Sequence, residues 1–386
     1  MVRRRIGAIL PVVDLAPVPQ EPTAGLEWDA FIERGGGRLA HAYHLTAWRE
    51  VHRRAYGREP IYLAARGADG ELIGGLPLVV HGGALRGLAA SLKPGARAAG
   101  GGQRLSSVIR GGPVASDVEA RGELLAAACT MVDEQGFSEL TIETDVPGCE
   151  QLVPGLRAQP DSPAWQTPLP GDPDELLKTW RKRSRNLWRN LAKARDRGVV
   201  VRPVGSRMDL WRFYRQYVLA MRRHRAVPRS WLEVRWAHRL LAPSRRCGAW
   251  LGEYRGEVVA GVMFTSVGDS VELLYGGSDP RVNDVRPMHA VYWHAIEWAI
   301  ANGKTVIDWG TAPVDSSLGK FKAQWGADPV ESFRYTYGPR GAVGSPPPAS
   351  TRAERGSDGD SISATAWDRI PVDALGVAAT IAHRLL

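Results

Sequence analysis

The sequence predicts an α/β protein built as two successive domains of one design. Three observations predict it. A β-hairpin pattern occurs twice: residues 61–80, IYLAARGADGELIGGLPLVV, and residues 249–266, AWLGEYRGEVVAGVMFTS, each read as strand, turn and strand. A helix–Gly–strand pattern then follows each hairpin, at residues 122–145 and again at 289–308. Finally, 386 residues exceed one ordinary core, while 44% hydrophobic and 24% charged residues are values of a globular chain.

In chain order, MVRRRIGAILPVVDL begins like a signal peptide, but its apolar run contains Pro11, ends at Asp14 and lacks a small-residue cleavage site. It reads as a first strand. Thr46–Ala55 reads as a helix preceding the first hairpin, whose turn lies at Asp69-Gly70. Gly122–Gln135 reads as a helix stopped by Gly136, a residue suited to the left-handed position that ends helices. The strand FSELTIETD follows and reaches Asp145. A Pro-rich connector, LVPGLRAQPDSPAWQTPLPGDPDE, separates the halves.

The second half carries helical patterns over Asp174–Arg197, Asp209–His224 and Trp231–Leu241, then the second hairpin around Arg255-Gly256. His289–Asn302 reads as a helix, Gly303 stops it, and KTVIDWG reads as a strand reaching Asp308. After Gly338 the composition becomes that of a disordered linker. The expected organisation is therefore domain 1–165, domain 166–338 with a basic helix at 174–197, linker 339–366, and an amphipathic segment 367–386. That last segment repeats apolar residues at Leu375, Ala378, Ile381 and Leu385, and is expected to pack on the body.

Fifty basic against 41 acidic residues leave a net charge of +9, which favours anionic partners. Three scattered cysteines without a Cys-x-x-Cys pair argue against a disulfide or zinc framework and for a reducing compartment. No run approaches the ~20 apolar residues of a membrane helix. A cytoplasmic location is expected.

The basic helix has the clearest periodicity. Arg181, Arg185, Arg189, Lys193 and Arg197 recur every fourth residue, while Leu177, Trp180, Leu187, Leu191 and Ala194 take a separate face. Asp172 or Asp174 can cap its N-terminus. Contact with phosphate or an RNA backbone and a plain solvated face fit this spacing equally. Arg286 precedes a helix opened by Pro287, whose unpaired N–H groups suit an anion or carbonyl. His289 and His294 diverge by about 140° around a helix and cannot share a metal, and His41 and His44 lack partners at ligand spacing. No metal is expected. Gly-x-Ser-x-Gly is absent, and Gly303-Lys304-Thr305 lacks the earlier glycine of a phosphate-binding loop.

The stretch DWGTAPVDSSLGKFKAQWGADP, from Asp308 to Pro329, places an acid at a strand end, then a small-residue loop, then Lys320 and Lys322 beside Phe321 and Trp325. Open α/β sheets hold ligands at such strand ends. Asp308 can equally cap the loop, and the lysines can equally be exposed. If residues 312–319 form a mobile loop, the lysines can close on an anion.

These segments together resemble the FemAB-like family. HLTAWREVHRRAYGREPIYLAAR, IGGLPLVV, RNLWRNLAKARDRGVVV, FYRQYVLAMRRHRAVPRSWLE, LLYGGSD and IDWGTAPVDSSLGKFKAQWGADPV follow one another in that family's order, from about Ile6 to Tyr337. Asp-x-Gly…Phe-Lys-x-x-Trp-Gly is the most specific element. The terminal WDRIPVDALG resembles a subgroup associated with exopolysaccharide systems.

The resemblance implies two tandem GNAT-like domains and acyl or aminoacyl transfer to an amine of a cell-envelope or extracellular-polymer precursor. It implies Asp308 and Tyr275 as catalytic residues and Lys320 and Lys322 as groups that hold substrate, to which the helix start at Pro287 and the basic helix add Arg286, Arg185 and Arg189 as candidates. The donor is aminoacyl-tRNA or acyl-CoA, used as a substrate, with no bound cofactor. Phosphorylated precursors, tRNA and the inner face of the membrane are the partners it suggests. Two features depart from the pattern. The Arg/Gln-x-x-Gly-x-Gly/Ala pattern of the loop that grips acyl-CoA pyrophosphate is missing from the second half and occurs in the first only as Arg97–Gly102, ahead of the helix–Gly–strand pattern, and no long helical arm for tRNA follows Arg197. A non-catalytic accessory protein of polymer biosynthesis that kept the fold is the alternative reading.

Overall fold

A computed structural model describes residues 13–14, 22–82, 103–108, 110–183, 185–338 and 371–385. The expected linker 339–366 and the start of the chain before Val13 lie outside these residues. The chain forms two compact units: Met1–Thr46 with Glu59–Gln159 and Arg334–Val343, and Ala47–Arg58 with Pro160–Phe333 and Gly344–Leu386. The helix Thr46–Tyr56, expected to lead the first half, falls almost wholly in the second unit.

The first unit contains β1 (Val13–Asp14), β2 (Ile61–Arg66), β3 (Leu72–His81), β4 (Arg104–Ser107), β5 (Val114–Ala115) and β6 (Glu139–Thr144). Their order is β1-β2-β3-β4-β6, with β5 on β3. The β2, β3 and β4 strands are antiparallel neighbours, whereas β4 and β6 run parallel, from Arg104↔Glu139 to Ser106↔Thr141. Parallel neighbours need a crossover, and the helix Val118–Gln135 is that crossover. Asp117 caps its start by accepting from Ala120 N at 2.7 Å, and Gly136 ends it at φ 72°. The helix Pro22–Gly35 lays Trp28 so closely on β3 that a Cβ at Gly75 would lie 2.6 Å from the indole.

The second unit repeats this plan. Its strands are β7 (Arg157–Pro168), β8 (Val200–Pro203), β9 (Cys247–Tyr254), β10 (Glu257–Val267), β11 (Ser270–Ser278) and β12 (Val306–Thr311), in the order β7-β12-β11-β10-β9-β8. Here β9, β10 and β11 are antiparallel, and β11 and β12 run parallel across the helix Pro287–Ala301. The third strand of each set, β4 and β11, is an element the hairpin pattern alone does not announce. The hairpin and helix–Gly–strand repeats thus correspond to one topology formed twice.

Helices cover both faces of the second sheet. On one face Trp180, Leu187, Phe264, Val271, Leu273, Ile296, Ile307, Trp309 and Trp325 share a buried core. The helix expected over 174–197 is helical over the described stretches Pro173–Arg183 and Arg185–Asp196. Each makes its own contact in this layer: Trp180 packs edge-on against Trp293 and Trp325, and Asn190 meets His289 at 3.2 Å. On the other face the helix Arg207–Arg223 lies so close that Cβ atoms at Gly261 and Gly277 would approach Phe213 and the Gln216 carbonyl within 2.7 and 2.2 Å.

The C-terminal segment is helical over Val372–Leu385 and packs on the second unit. Its buried face holds Leu375, Gly376 and Ala379, whereas Ala378, expected inside, is exposed. Among the described residues no helix is long and apolar enough to cross a membrane.

Candidate functional site

The second unit opens where two parallel strands part. The β11 and β12 strands pair from Ser270↔Val306 to Glu272↔Asp308, and both continue beyond that register, β11 to Ser278 and β12 to Thr311. Such a parting outside strand carboxyl ends is where open α/β sheets admit ligands. Paired residues send their side chains to the same face, so Asp308 and Glu272 emerge together, both buried. A bulge at Leu274 follows, since Met263 pairs with Tyr275 and Phe264 with Leu273. Tyr275 consequently turns to the face covered by the helix Arg207–Arg223, stacking 5.2 Å from Tyr217.

Asp308 is 1% exposed. One carboxylate oxygen accepts from the Gly310 N–H at 2.7 Å and the other from Gln166 Nε2 at 3.0 Å. The β12–β7 register slips between Asp308 and Thr311, and Gly310 adopts φ 71° there. Lys322 answers from the other side. Its Nζ donates at 3.0 Å to the carbonyls of both Gly310 and Thr311. The buried acid and the buried lysine therefore hold the two polar ends of one bulge.

The stretch 312–319, expected as a loop beyond which the lysines close on an anion, runs into a helix. Ser317–Gln324 is a helix, with Ser316 accepting from Gly319 N at 3.0 Å, and Gly319 sits where a Cβ would meet the Pro313 carbonyl at 2.4 Å. Lys322 is 4% exposed and points inward, because the helix turns Lys322 and Trp325 to the same buried side. Lys320 is exposed.

Arg286, exposed and left-handed at φ 59°, caps the helix Pro287–Ala301. Burial, with the Arg286 charge adding to it, depresses His289 to about 4. Because Asn190 also meets His289, Arg286 and the helix Arg185–Asp196 converge on one buried imidazole. Arg185 and Arg189 lie on that helical stretch, Arg189 exposed, while Arg181 stacks 3.9 Å over Trp188. His44 is a buried histidine of the first unit. Its Nε2 bonds to the Gly112 carbonyl at 2.9 Å, and burial lowers it to about 4.

Sequence reasoning missed Glu233. It lies in the first turn of the helix Trp231–Leu241, three residues after the N-cap Ser230. Ser-x-x-Glu at a helix start reads as a reciprocal cap. Ser230 does cap, accepting from Leu232 N at 3.1 Å, but Glu233 turns elsewhere. One of its oxygens accepts the Tyr275 hydroxyl and the other the Tyr56 hydroxyl, with Arg229 Nη1 at 3.9 Å. Burial pushes this carboxyl up to about 7, against the lowering hydrogen bond from Tyr275. The three residues stand at positions 56, 233 and 275, so no local spacing could have grouped them.

Comparison with known proteins agrees with this topology. Residues 181–322 match the family described as acetyltransferase (GNAT) domain, so the second unit carries a GNAT domain. No curated protein matches the chain. Among solved structures, FemX is similar at 17% identity, with 82% of this chain and 96% of FemX covered and a TM-score of 0.64. L-PGS from Bacillus licheniformis is similar at 14% identity, covering 84% of this chain and 94% of that one, with a TM-score of 0.52. At these identities the likeness is one of fold.

Proposed function

We propose that the chain transfers an acyl or aminoacyl group to an amine of a cell-envelope or extracellular-polymer precursor, as the FemAB-like proteins it resembles do. One observation carries the reading. The parallel strands of a GNAT-fold sheet part just beyond Asp308, and Tyr275 stands on the freed length of β11. Strand edges turned toward such an opening can bond the amide-like part of a donor.

The donor is aminoacyl-tRNA or acyl-CoA. The amine nitrogen attacks the donor carbonyl and a C–N bond forms. The C–O bond of the tRNA ester or the C–S bond of the thioester breaks, and the proton shed by nitrogen balances the one taken by the leaving oxygen or sulfur. Asp308 and Tyr275 orient the amine and manage its proton. Arg286, Arg189, Arg185 and Lys320 attract the phosphates of the precursor or donor. Lys322 supports this opening by fixing the bulge after Asp308. The reaction fits the cytoplasm, at the inner face of the membrane where such precursors are assembled.

The experiment is mass spectrometry of products after incubating the full chain with charged tRNA or acyl-CoA and a fraction of amine-bearing phosphorylated precursors. An acceptor gaining one acyl or aminoacyl mass only with donor present supports the reading. Tight precursor binding without any mass gain supports the non-catalytic accessory protein instead.

A further inference from the structure

The clustering of Tyr275, Glu233 and Tyr56 needs explanation. A carboxyl group 3% exposed, drawn off the helix cap it could have completed, is a costly thing to bury. A purely structural post could be made from an apolar residue at less cost. Polar and charged neighbours gather around it from several elements. The helix Thr46–Tyr56 brings the Tyr56 hydroxyl, and β11 brings the Tyr275 hydroxyl. Arg229 lies in the segment leading to the helix, and Arg58 is close enough to feel its charge. The helix Arg207–Arg223 supplies Tyr214 and Tyr217, which pin the Arg229 backbone through its carbonyl at 2.8 Å and its N–H at 3.1 Å.

We propose that Glu233 is the proton acceptor behind Tyr275 in the transfer reaction, with Tyr56 and Arg229 fixing its orientation. The proposal rests on the acyl-transfer reading above. As the amine attacks, its proton passes to the Tyr275 oxygen while the Tyr275 hydroxyl proton passes to Glu233. The tyrosine ends neutral and Glu233 ends protonated. The departing oxygen or sulfur recovers a proton by the reverse path, so the cycle closes without any further reactant. Tyr275 is then the catalytic residue of the pair and Glu233 a positioning residue acting through it. Because burial brings the carboxyl to about 7, it can both take and return a proton near neutrality.

Two measurements test this, one of which needs no substrate. Infrared difference spectra of the full chain across pH 5–9 should show a protonated carboxyl band lost with a midpoint near 7, absent from Glu233→Gln. Tyr275→Phe should move that midpoint upward, because the Tyr275 hydrogen bond holds it down. Second, acetyl-CoA and alanyl-tRNA serve as donor probes with methylamine as acceptor probe. The wild-type rate should rise through a limb near pH 7. Glu233→Gln should lose that limb and fall about 100-fold in kcat with KM little changed, and Glu233→Asp should restore part of it. A carboxyl already ionised at pH 5, a midpoint unmoved by Tyr275→Phe, or a limb that survives in Glu233→Gln overturns the proposal. If neither donor is consumed while the infrared titration holds, it is the transfer reading for these donors that fails.

Discussion

Lys322 donates its ammonium to the Gly310 carbonyl at 3.0 Å, across the bulge whose N–H bonds to Asp308. A charge-assisted bond to a buried carbonyl contributes more than a neutral one, and an unpaired buried carbonyl costs about 1–3 kcal/mol. Lys322, itself buried, bonds two backbone carbonyls, those of half-buried Gly310 and exposed Thr311. Sequence reasoning places this lysine on an anion, whereas in the structure its ammonium is engaged with the backbone of β12. Lys322→Met should lose about 2–4 kcal/mol of unfolding free energy in urea. A loss under about 0.5 kcal/mol would show that the bulge holds without it.

Two glycines of the same unit should respond differently to alanine. At Gly310 the backbone is left-handed, φ 71°, but a Cβ would meet nothing within 4 Å. The cost is conformational, about 1 kcal/mol. At Gly277 a Cβ would stand 2.2 Å from the Gln216 carbonyl oxygen, and both partners are backbone. The helix Arg207–Arg223 must then withdraw from the strand that bears Tyr275. Gly277→Ala should cost about 3 kcal/mol or more. Thermal unfolding of both variants checks the order, and equal losses would contradict the close approach.

Stability should carry a signature of Glu233. Burial raises its folded value from 4.5 to about 7, so the folded state holds the proton more tightly than the unfolded chain. That contribution is complete below about 4.5, declines as pH rises through about 7 and is then gone, a span of about 3 kcal/mol. His44 and His289 act in the opposite sense. Each is lowered from 6.5 to about 4, so each favours folding above 6.5 and loses that contribution as pH falls through about 4. The net profile mixes all three. The difference between wild type and Glu233→Gln isolates the first. From pH 5 to pH 8 the variant should gain stability relative to wild type, read as urea midpoints at each pH. A parallel pair of profiles would mean that Glu233 is ionised throughout.

The repeated topology was legible because hairpins and helix–Gly–strand units are local patterns, and Gly136 and Gly303 do take positive φ. The strands β4 and β11 escaped because Arg104–Ser107 is short and Ser270–Ser278 lacks a clean alternation. Within the site, Asp308 at a strand end was readable from the apolar run before it. Lys322 was visible as a residue but not in its direction, since only the helix Ser317–Gln324 decides which lysine turns inward. Glu233 was hidden by its own neighbourhood. Its spacing from Ser230 announces a cap, and its true partners come from a helix and a strand far away in the chain.

The decisive variant at the strand end is Asp308→Asn, and the surroundings make it readable. Among the described residues, Asp308 accepts from Gly310 N at 2.7 Å and from Gln166 Nε2 at 3.0 Å. An asparagine keeps one acceptor for Gly310 and presents an amide to Gln166. Gln166 can answer by turning its own amide, because its Oε1 is buried without a hydrogen-bond partner among the described residues. The swap therefore exchanges one hydrogen bond for another, with a stability change of about 1 kcal/mol or less. The variant should remain folded, with a urea midpoint near that of wild type. What it loses is the negative charge beside the parting of β11 and β12. If that charge orients the attacking amine, kcat should fall at least about 10-fold while KM for the donor changes little. Full kcat in a folded Asp308→Asn would confine Asp308 to bracing the bulge, leaving Tyr275 and Glu233 to handle the proton alone.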